Sequence, residues 1–223
     1  MDTPRQGSPL TRPAFSWQGL IRPAIYWGGM VPAVWAFYLG FTNQLGPEPI
    51  KALEHSLGIW ALRFLIAGLV ITPLRRLGGP SLIRYRRAIG LLAFIYVSLH
   101  LAVYIGFDQG FDMTAVWNDI VKRPYITIGM LAFIMLVPLA ATSNNAMVKR
   151  LGAAAWQSLH RLVYPAALFG AIHFLLLVKS WPPEPLIYTA IVTGLLLFRL
   201  TPIGKKRTRR KAAASQAPAK AVG

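Results

Sequence analysis

The 223-residue chain contains no cysteine. That absence excludes a disulfide framework, a thiolate nucleophile, a cysteine-held iron–sulfur cluster and covalent c-type heme attachment through Cys-x-x-Cys-His. Charge is scarce: 14% of residues are charged, where a soluble domain carries about 25%. Acids are scarcer still, 7 Asp and Glu against 24 Lys and Arg. No Gly-rich dinucleotide fingerprint follows a predicted strand, and Gly78-Gly79 alone reads as a turn. No Ser-His-Asp set and no paired carboxylates for hydrolysis can be assembled from the apolar stretches.

The chain is instead rich in apolar residues, at 55%, with a mean hydropathy of +0.47. They fall in six runs, Pro23–Phe41, Ser56–Pro73, Ala88–Phe107, Tyr125–Thr142, Trp156–Val178 and Leu186–Thr201. Each is close to the ~20 residues a helix needs to cross ~30 Å of hydrocarbon. In lipid the backbone must satisfy its own hydrogen bonds, which favours helices over isolated strands. The first run is longer than a signal-peptide core and lacks a cleavage site, so it is read as a retained span. The fold expected is all-α, an integral membrane bundle of six transmembrane helices. Trp117, Tyr125, Trp156 and Trp181 read as interface anchors.

The net charge of +17 could signal a nucleic-acid partner, but its distribution points elsewhere. Residues 1–22, the second and fourth connectors and the tail 202–223 hold 17 of the basic residues. The opposite side holds four: Lys51, Lys122, Arg123 and Lys179. The positive-inside rule then places both termini in the cytoplasm. Three parts are expected: a cytoplasmic N-terminal segment 1–22, a transmembrane domain 23–201, and a basic, disordered cytoplasmic tail 202–223. The tail has no interleaved aromatics on which bases would stack, so no nucleic acid is expected. Membrane lipid is the expected partner of this charge.

Ionisable residues inside spans are costly and mark functional sites. The set is His100, His160, His173, Arg63, Arg161 and Arg199, with His55 at the edge of the second run and no carboxylate in any run. At 1.5 Å per residue, His100 lies ~10 Å and His173 ~8 Å below the outer surface, so the two share a level. His160 lies ~20 Å from His173 along the axis, near the inner end. Two neutral imidazoles at one level on two helices suit iron, copper or zinc. A bare zinc or copper site would want further ligands, for which only Tyr96, Tyr104 and Tyr164 stand nearby. A flat apolar macrocycle needs only the two imidazoles and a slot, for which Ala93, Gly170 and Ala171 leave room. The thirteen-residue spacing leaves His160 and His173 ~140° apart on an ideal helix, unless Pro165 changes it. Arg63 and Arg161 are candidates to hold heme propionates or a flavin phosphate. Snorkelling is the competing account for Arg161 and Arg199.

Several ordered motifs carry a family resemblance. They are Ile71-Thr72-Pro73-Leu74-Arg75, Arg86-Arg87-x-x-Gly90-Leu91, Ser98-Leu99-His100-Leu101 and Lys122-Arg123-Pro124-Tyr125-Ile126-Thr127. Trp156-Gln157-x-Leu159-His160-Arg161-Leu162-Val163-Tyr164, Ile172-His173 and Pro185-Leu186-Ile187-Tyr188 follow. The chain resembles, from Ala52 to Phe198, the MsrQ (YedZ) family. These are heme-binding membrane subunits of the bacterial periplasmic methionine sulfoxide reductase system, within the ferric-reductase-like transmembrane proteins. The resemblance implies a b-type heme protein of the inner membrane that also binds FMN, through residues that cannot be assigned. It implies electrons taken from a cytosolic flavin reductase or from quinol. They would pass to a periplasmic molybdopterin-containing methionine sulfoxide reductase, which repairs oxidised periplasmic proteins. The terminal sulfoxide reduction would lie in that partner. His100 and His173 match axial heme ligands, His160 a candidate ligand of a second heme, and His55 an accessory histidine. Arg86 and Arg87 occupy the third helix at His160's depth, so His160 lacks an evident histidine partner. The alternative reading is a histidine-dependent membrane transporter or channel, and a third is a structural membrane anchor.

Overall fold

The computed structural model describes residues 17–177 and 182–201. Lys179, Trp181, the tail 202–223 and most of the segment 1–22 lie outside the described residues. Six helices are long and apolar enough to cross a membrane, as the runs predict. They begin with α1 (Trp17–Phe41), α2 (Pro49–Arg76) and α3 (Arg86–Val103), which continues through a π-helical turn at Tyr104–Asp108. A short α4 (Met113–Lys122) precedes α5 (Pro124–Ala141). Then come α6 (Asn145–Leu151), α7 (Ala153–Leu159), a 3₁₀ turn at His160–Leu162, α8 (Val163–Leu177) and α9 (Pro183–Leu200). No strand occurs among the described residues.

Helix starts follow local chemistry. α2, α5 and α9 each have proline in the first turn, where its missing N–H has no intrahelical partner to lose. Asp112 caps α4 by accepting from the Thr114 and Ala115 N–H groups, and Asn144 caps α6 through Met147 N–H. α1 starts at Trp17, ahead of the first apolar run and inside the segment 1–22, and two further features differ from the sequence reading. α2 starts at Pro49 rather than Ser56, because the Pro47-Glu48-Pro49 turn makes a start there. This brings Glu54 inside a span that was expected to hold no carboxylate. The fifth run is not one helix: Pro165 has no N–H to donate back into the turn before it. The chain changes to 3₁₀ at His160–Leu162 and restarts as α8 with Pro165 in its first turn.

The bundle core lies in two connected zones. One joins α2, α3, α5, α8 and α9 through Leu62, Leu69, Ala93, Leu136, Ala166, Ala167, Ala171 and Val192. The other joins α1, α2 and α3 through Ala33, Ala36, Leu57, Ala61 and Tyr96. The alanines let helices approach closely, the usual means of packing spans where lipid supplies no hydrophobic drive. Large apolar side chains such as Trp27, Val34, Trp35, Ile134 and Leu197 face outward, as lipid-facing surfaces do. At the α1–α3 contact the Tyr96 hydroxyl accepts from Ala33 N–H at 2.9 Å and donates to Gly29 O at 2.7 Å. It thus inserts into the α1 ladder next to Pro32. At the opposite side Arg199 does not snorkel free. It donates to Tyr164 Oη at 2.9 Å and Leu69 O at 2.8 Å, tying α9 to α8 and α2.

Candidate functional site

One cavity of about 710 Å³ opens between α2, α3, α5 and α8. Its deep walls are apolar, with Ile59, Leu62, Val97, Phe133 and Phe174 among them. His55, His100, His173 and Glu54 line it, and Glu48, Lys51, Asp108 and Arg123 lie toward the helix ends at its mouth. The shared level expected for His100 and His173 is what the structure shows: their ring centres stand 6.3 Å apart, with planes at 77°.

Each ring is held in the same way. His100 Nδ1–H donates to Glu54 O of α2 at 2.9 Å, and His173 Nδ1–H donates to Tyr125 O of α5 at 2.7 Å. A carbonyl only accepts, so these bonds fix the tautomer and leave each Nε2 lone pair available. Four residues beyond each carbonyl the helix carries glycine. A Cβ at Gly58 would sit 3.4 Å from His100 Nδ1, and one at Gly129 would sit 2.8 Å from His173 Nδ1. The missing side chains let each imidazole lie against its neighbouring helix. Gly58 and Gly129 were not singled out in the sequence, which offered Ala93, Gly170 and Ala171 as space-makers. Of those three, Gly170 lines the cavity, whereas Ala93 and Ala171 are buried in the helix-packing core.

The donor set fits a bis-imidazole metal group. With metal–nitrogen bonds of about 2.0 Å and ring centres about 1.1 Å behind each nitrogen, two imidazoles on one ion have centres about 6 Å apart. No group of three or more His, Asp or Glu side chains suited to a bare metal ion occurs among the described residues. The large apolar cavity that both rings line suits a macrocycle. His55 packs edge-on against Phe174, with ring centres 5.5 Å apart. Glu54 Oε1 is buried without a hydrogen-bond partner.

The remaining candidates lie apart from the cavity lining. His160 stacks on Trp156, ring centres 3.8 Å apart, and its Nε2 meets Thr142 Oγ1 at 3.1 Å. Since Thr142 Oγ1 donates to Pro138 O at 2.6 Å, the hydroxyl accepts from His160 Nε2–H. Arg63 is exposed and bridges α2 to α9; its Nε donates to Tyr188 Oη at 2.7 Å, and its guanidinium stacks 4.9 Å from the Trp60 ring. Arg161 is exposed. The cations at the cavity are instead Lys51 and Arg123. Arg123 pairs with Asp119 at 3.1 Å and donates to Tyr125 Oη at 3.4 Å. That hydroxyl bond and Asp119 hold its guanidinium above its already high ordinary pKa. Asp119 also accepts from Tyr104 Oη at 3.0 Å. The sequence signal for Arg123 was its place among the few basic residues on the acidic side.

Fold and site together define a bundle of six membrane-length helices with two imidazoles facing one apolar cavity. Residues 57–171 match the family described as ferric reductase like transmembrane component. The chain is 58% identical over 172 residues to the protein-methionine-sulfoxide reductase heme-binding subunit MsrQ of Brucella anthropi, covering 77% of this chain and 78% of that one. It is 59% identical, with the same coverage, to the subunits of that name from Brucella ovis and Brucella canis. No solved structure matches. The chain belongs to the MsrQ family of ferric-reductase-like transmembrane proteins.

Proposed function

We propose that this chain holds a noncovalent b-type heme between His100 and His173 and serves as the membrane electron conduit of a methionine sulfoxide reductase system. The observation that carries the reading is the pair of rings 6.3 Å apart on one apolar cavity, each with Nδ1 committed to a backbone carbonyl. The heme would supply one-electron chemistry, while the protein supplies position, burial and tuning. His100 and His173 would present Nε2 as axial ligands. Lys51 and Arg123 at the mouth would face the propionates, a role the sequence had offered to Arg63 and Arg161. Arg63 instead holds Tyr188, and we assign Arg161 to the membrane surface. His55 would be an accessory wall of the pocket. His160, bonded to Thr142, would need to turn to ligate a second heme, so we assign one heme to the arrangement described.

The family's system supplies the rest of the proposal. The protein would sit in the bacterial inner membrane, its domain 23–201 between cytoplasmic segments 1–22 and 202–223. The acidic end of the bundle would face the periplasm, so the cavity mouth opens toward a molybdopterin-containing methionine sulfoxide reductase. Electrons would enter from a cytosolic flavin reductase or quinol, with FMN as a further cofactor. One observation favours the transporter alternative: Glu54, a carboxylate inside a span, has an unpartnered oxygen beside the cavity.

The test is a reduced-minus-oxidised visible spectrum of the purified protein with heme counted per chain. The expected result is one heme in the wild type, lost in both His100→Ala and His173→Ala and retained in His160→Ala. Absence of a Soret band in wild type made with ample heme would overturn the conduit and bring the transporter forward.

A further inference from the structure

The segment between α3 and α5 forms the helix α4 with three distinct faces. At about 100° per residue, Val116, Asp119 and Ile120 turn toward the bundle, where Val116 is buried and Asp119 meets Tyr104 and Arg123. The next sector carries Met113, Trp117 and Val121, spaced four residues apart, exposed at 54%, 66% and 65%. The sector beyond carries Thr114, Asn118 and Lys122, all polar and all exposed. A helix in aqueous surroundings needs one apolar face, toward its own protein. α4 has a second, unpartnered apolar face adjoining a polar one.

Position decides what covers that second face. α4 follows the span that closes at Asp108 and precedes the span that opens at Pro124. Both its ends are therefore tethered at the same end of the bundle. Its ten residues make a rod of about 15 Å, tied at both ends to a boundary where hydrocarbon gives way to water. Phe107 and Phe111, exposed at 60% and 72%, lie just before it in the chain. Bundle, apolar and polar sectors in sequence around the rod are what a helix lying in an interface plane requires, and Trp is the residue favoured at that level.

We propose that α4 is an in-plane interfacial helix seated in the lipid headgroup boundary by Met113, Trp117 and Val121. Its bundle-facing Asp119 then holds Tyr104 and Arg123 at the cavity mouth, so the membrane surface braces the rim of the pocket. The inference does not depend on which cofactor the cavity takes.

The cysteine-free sequence makes the test direct. Single variants Met113→Cys, Thr114→Cys, Trp117→Cys, Asn118→Cys and Val121→Cys would carry a nitroxide label. They would be reconstituted in phosphatidylethanolamine–phosphatidylglycerol vesicles. Relaxation by oxygen, which concentrates in lipid, is compared with relaxation by a water-soluble nickel chelate. Labels at 113, 117 and 121 should favour oxygen, and those at 114 and 118 should favour nickel. Met113→Cys and Val121→Cys retain Trp117, so they report the seat even if Trp117→Cys loosens it. Nickel preference at both 113 and 121 would overturn the proposal and leave the stripe to a protein partner from the aqueous phase.

Discussion

The two histidines are held by a repeated device, a carbonyl and a glycine one helical turn apart on the neighbouring helix, but the two copies differ in tightness. A Cβ at position 129 would stand 2.8 Å from His173 Nδ1, closer than such contacts allow, whereas one at position 58 would stand 3.4 Å from His100 Nδ1. Alanine has a higher helix propensity than glycine by about 0.8–1 kcal/mol, so neither substitution should weaken its own helix. Gly129→Ala should therefore displace the His173 ring and lower heme occupancy or shift the reduction potential, while Gly58→Ala should leave both close to wild type. Redox titration of the two variants side by side checks this; equal behaviour would mean the glycines serve helix packing alone. The 77° angle between ring planes leads to a second expectation. With His100 and His173 as the proposed axial ligands, rings kept near-perpendicular would leave the two upper iron π-type orbitals almost equal in energy. The ferric low-spin EPR signal should then be strongly anisotropic, and a rhombic signal of ordinary width would show that the rings reorient on binding. The shared level of His100 and His173 was legible in the sequence because depth along a span follows from counting residues. The glycines were not, because their role depends on which helix each ring leans on, and that is set by packing among α2, α3, α5 and α8.

Among the elements, α1 depends on a neighbour to complete its backbone. Pro32 offers no N–H, and the Tyr96 hydroxyl from α3 bridges Ala33 N–H and Gly29 O. Tyr96 is fully buried, so Tyr96→Phe removes the bridge with almost no change in volume. Interhelical hydrogen bonds in membranes contribute about 0.6 kcal/mol on average, and a buried donor left unpaired costs about 1–3 kcal/mol. A loss of about 1 kcal/mol is expected, because Ala33 and Gly29 face each other and can partly re-pair. It should be read as a lowered melting temperature in detergent with the heme spectrum intact. An unchanged melting temperature would mean that the α1 ladder closes fully by itself. The six spans were legible from apolar run length alone. Their finer breaks were not: the 3₁₀ turn at His160–Leu162 sits in a stretch read as one continuous run, in which Pro165 was the break signal. α4 escaped notice because ten residues are too few to span and its pattern serves two apolar surroundings at once.

At the scale of the whole molecule, charge is divided between the two ends of the bundle. Glu48 and Glu184 precede or open the helices that start at the cavity end, and Asp108, Asp112 and Asp119 follow α3 there. Arg75 and Arg76 in the last turn of α2, Arg84 in the connector, and Arg86 and Arg87 in the first turn of α3 gather at the other end. The orientation proposed here was read from the sequence by the count of 17 basic residues against four. Seven of the 17 lie in the tail 202–223, outside the described residues, and a long basic tail could dominate such a count. Removing it leaves ten against four, and the five arginines in and flanking the short α2–α3 connector lie within the range over which the positive-inside rule acts. Deleting residues 202–223 should therefore leave the orientation unchanged. Reporter fusions at position 201 check this, since green fluorescent protein folds to fluorescence in the cytoplasm and alkaline phosphatase is active only outside it. The truncated chain should give fluorescence and no phosphatase activity, and a phosphatase fusion at Gly110 should be active. Phosphatase activity at position 201 would show that the tail, rather than the α2–α3 arginines, sets which end of the cavity-bearing bundle faces outward.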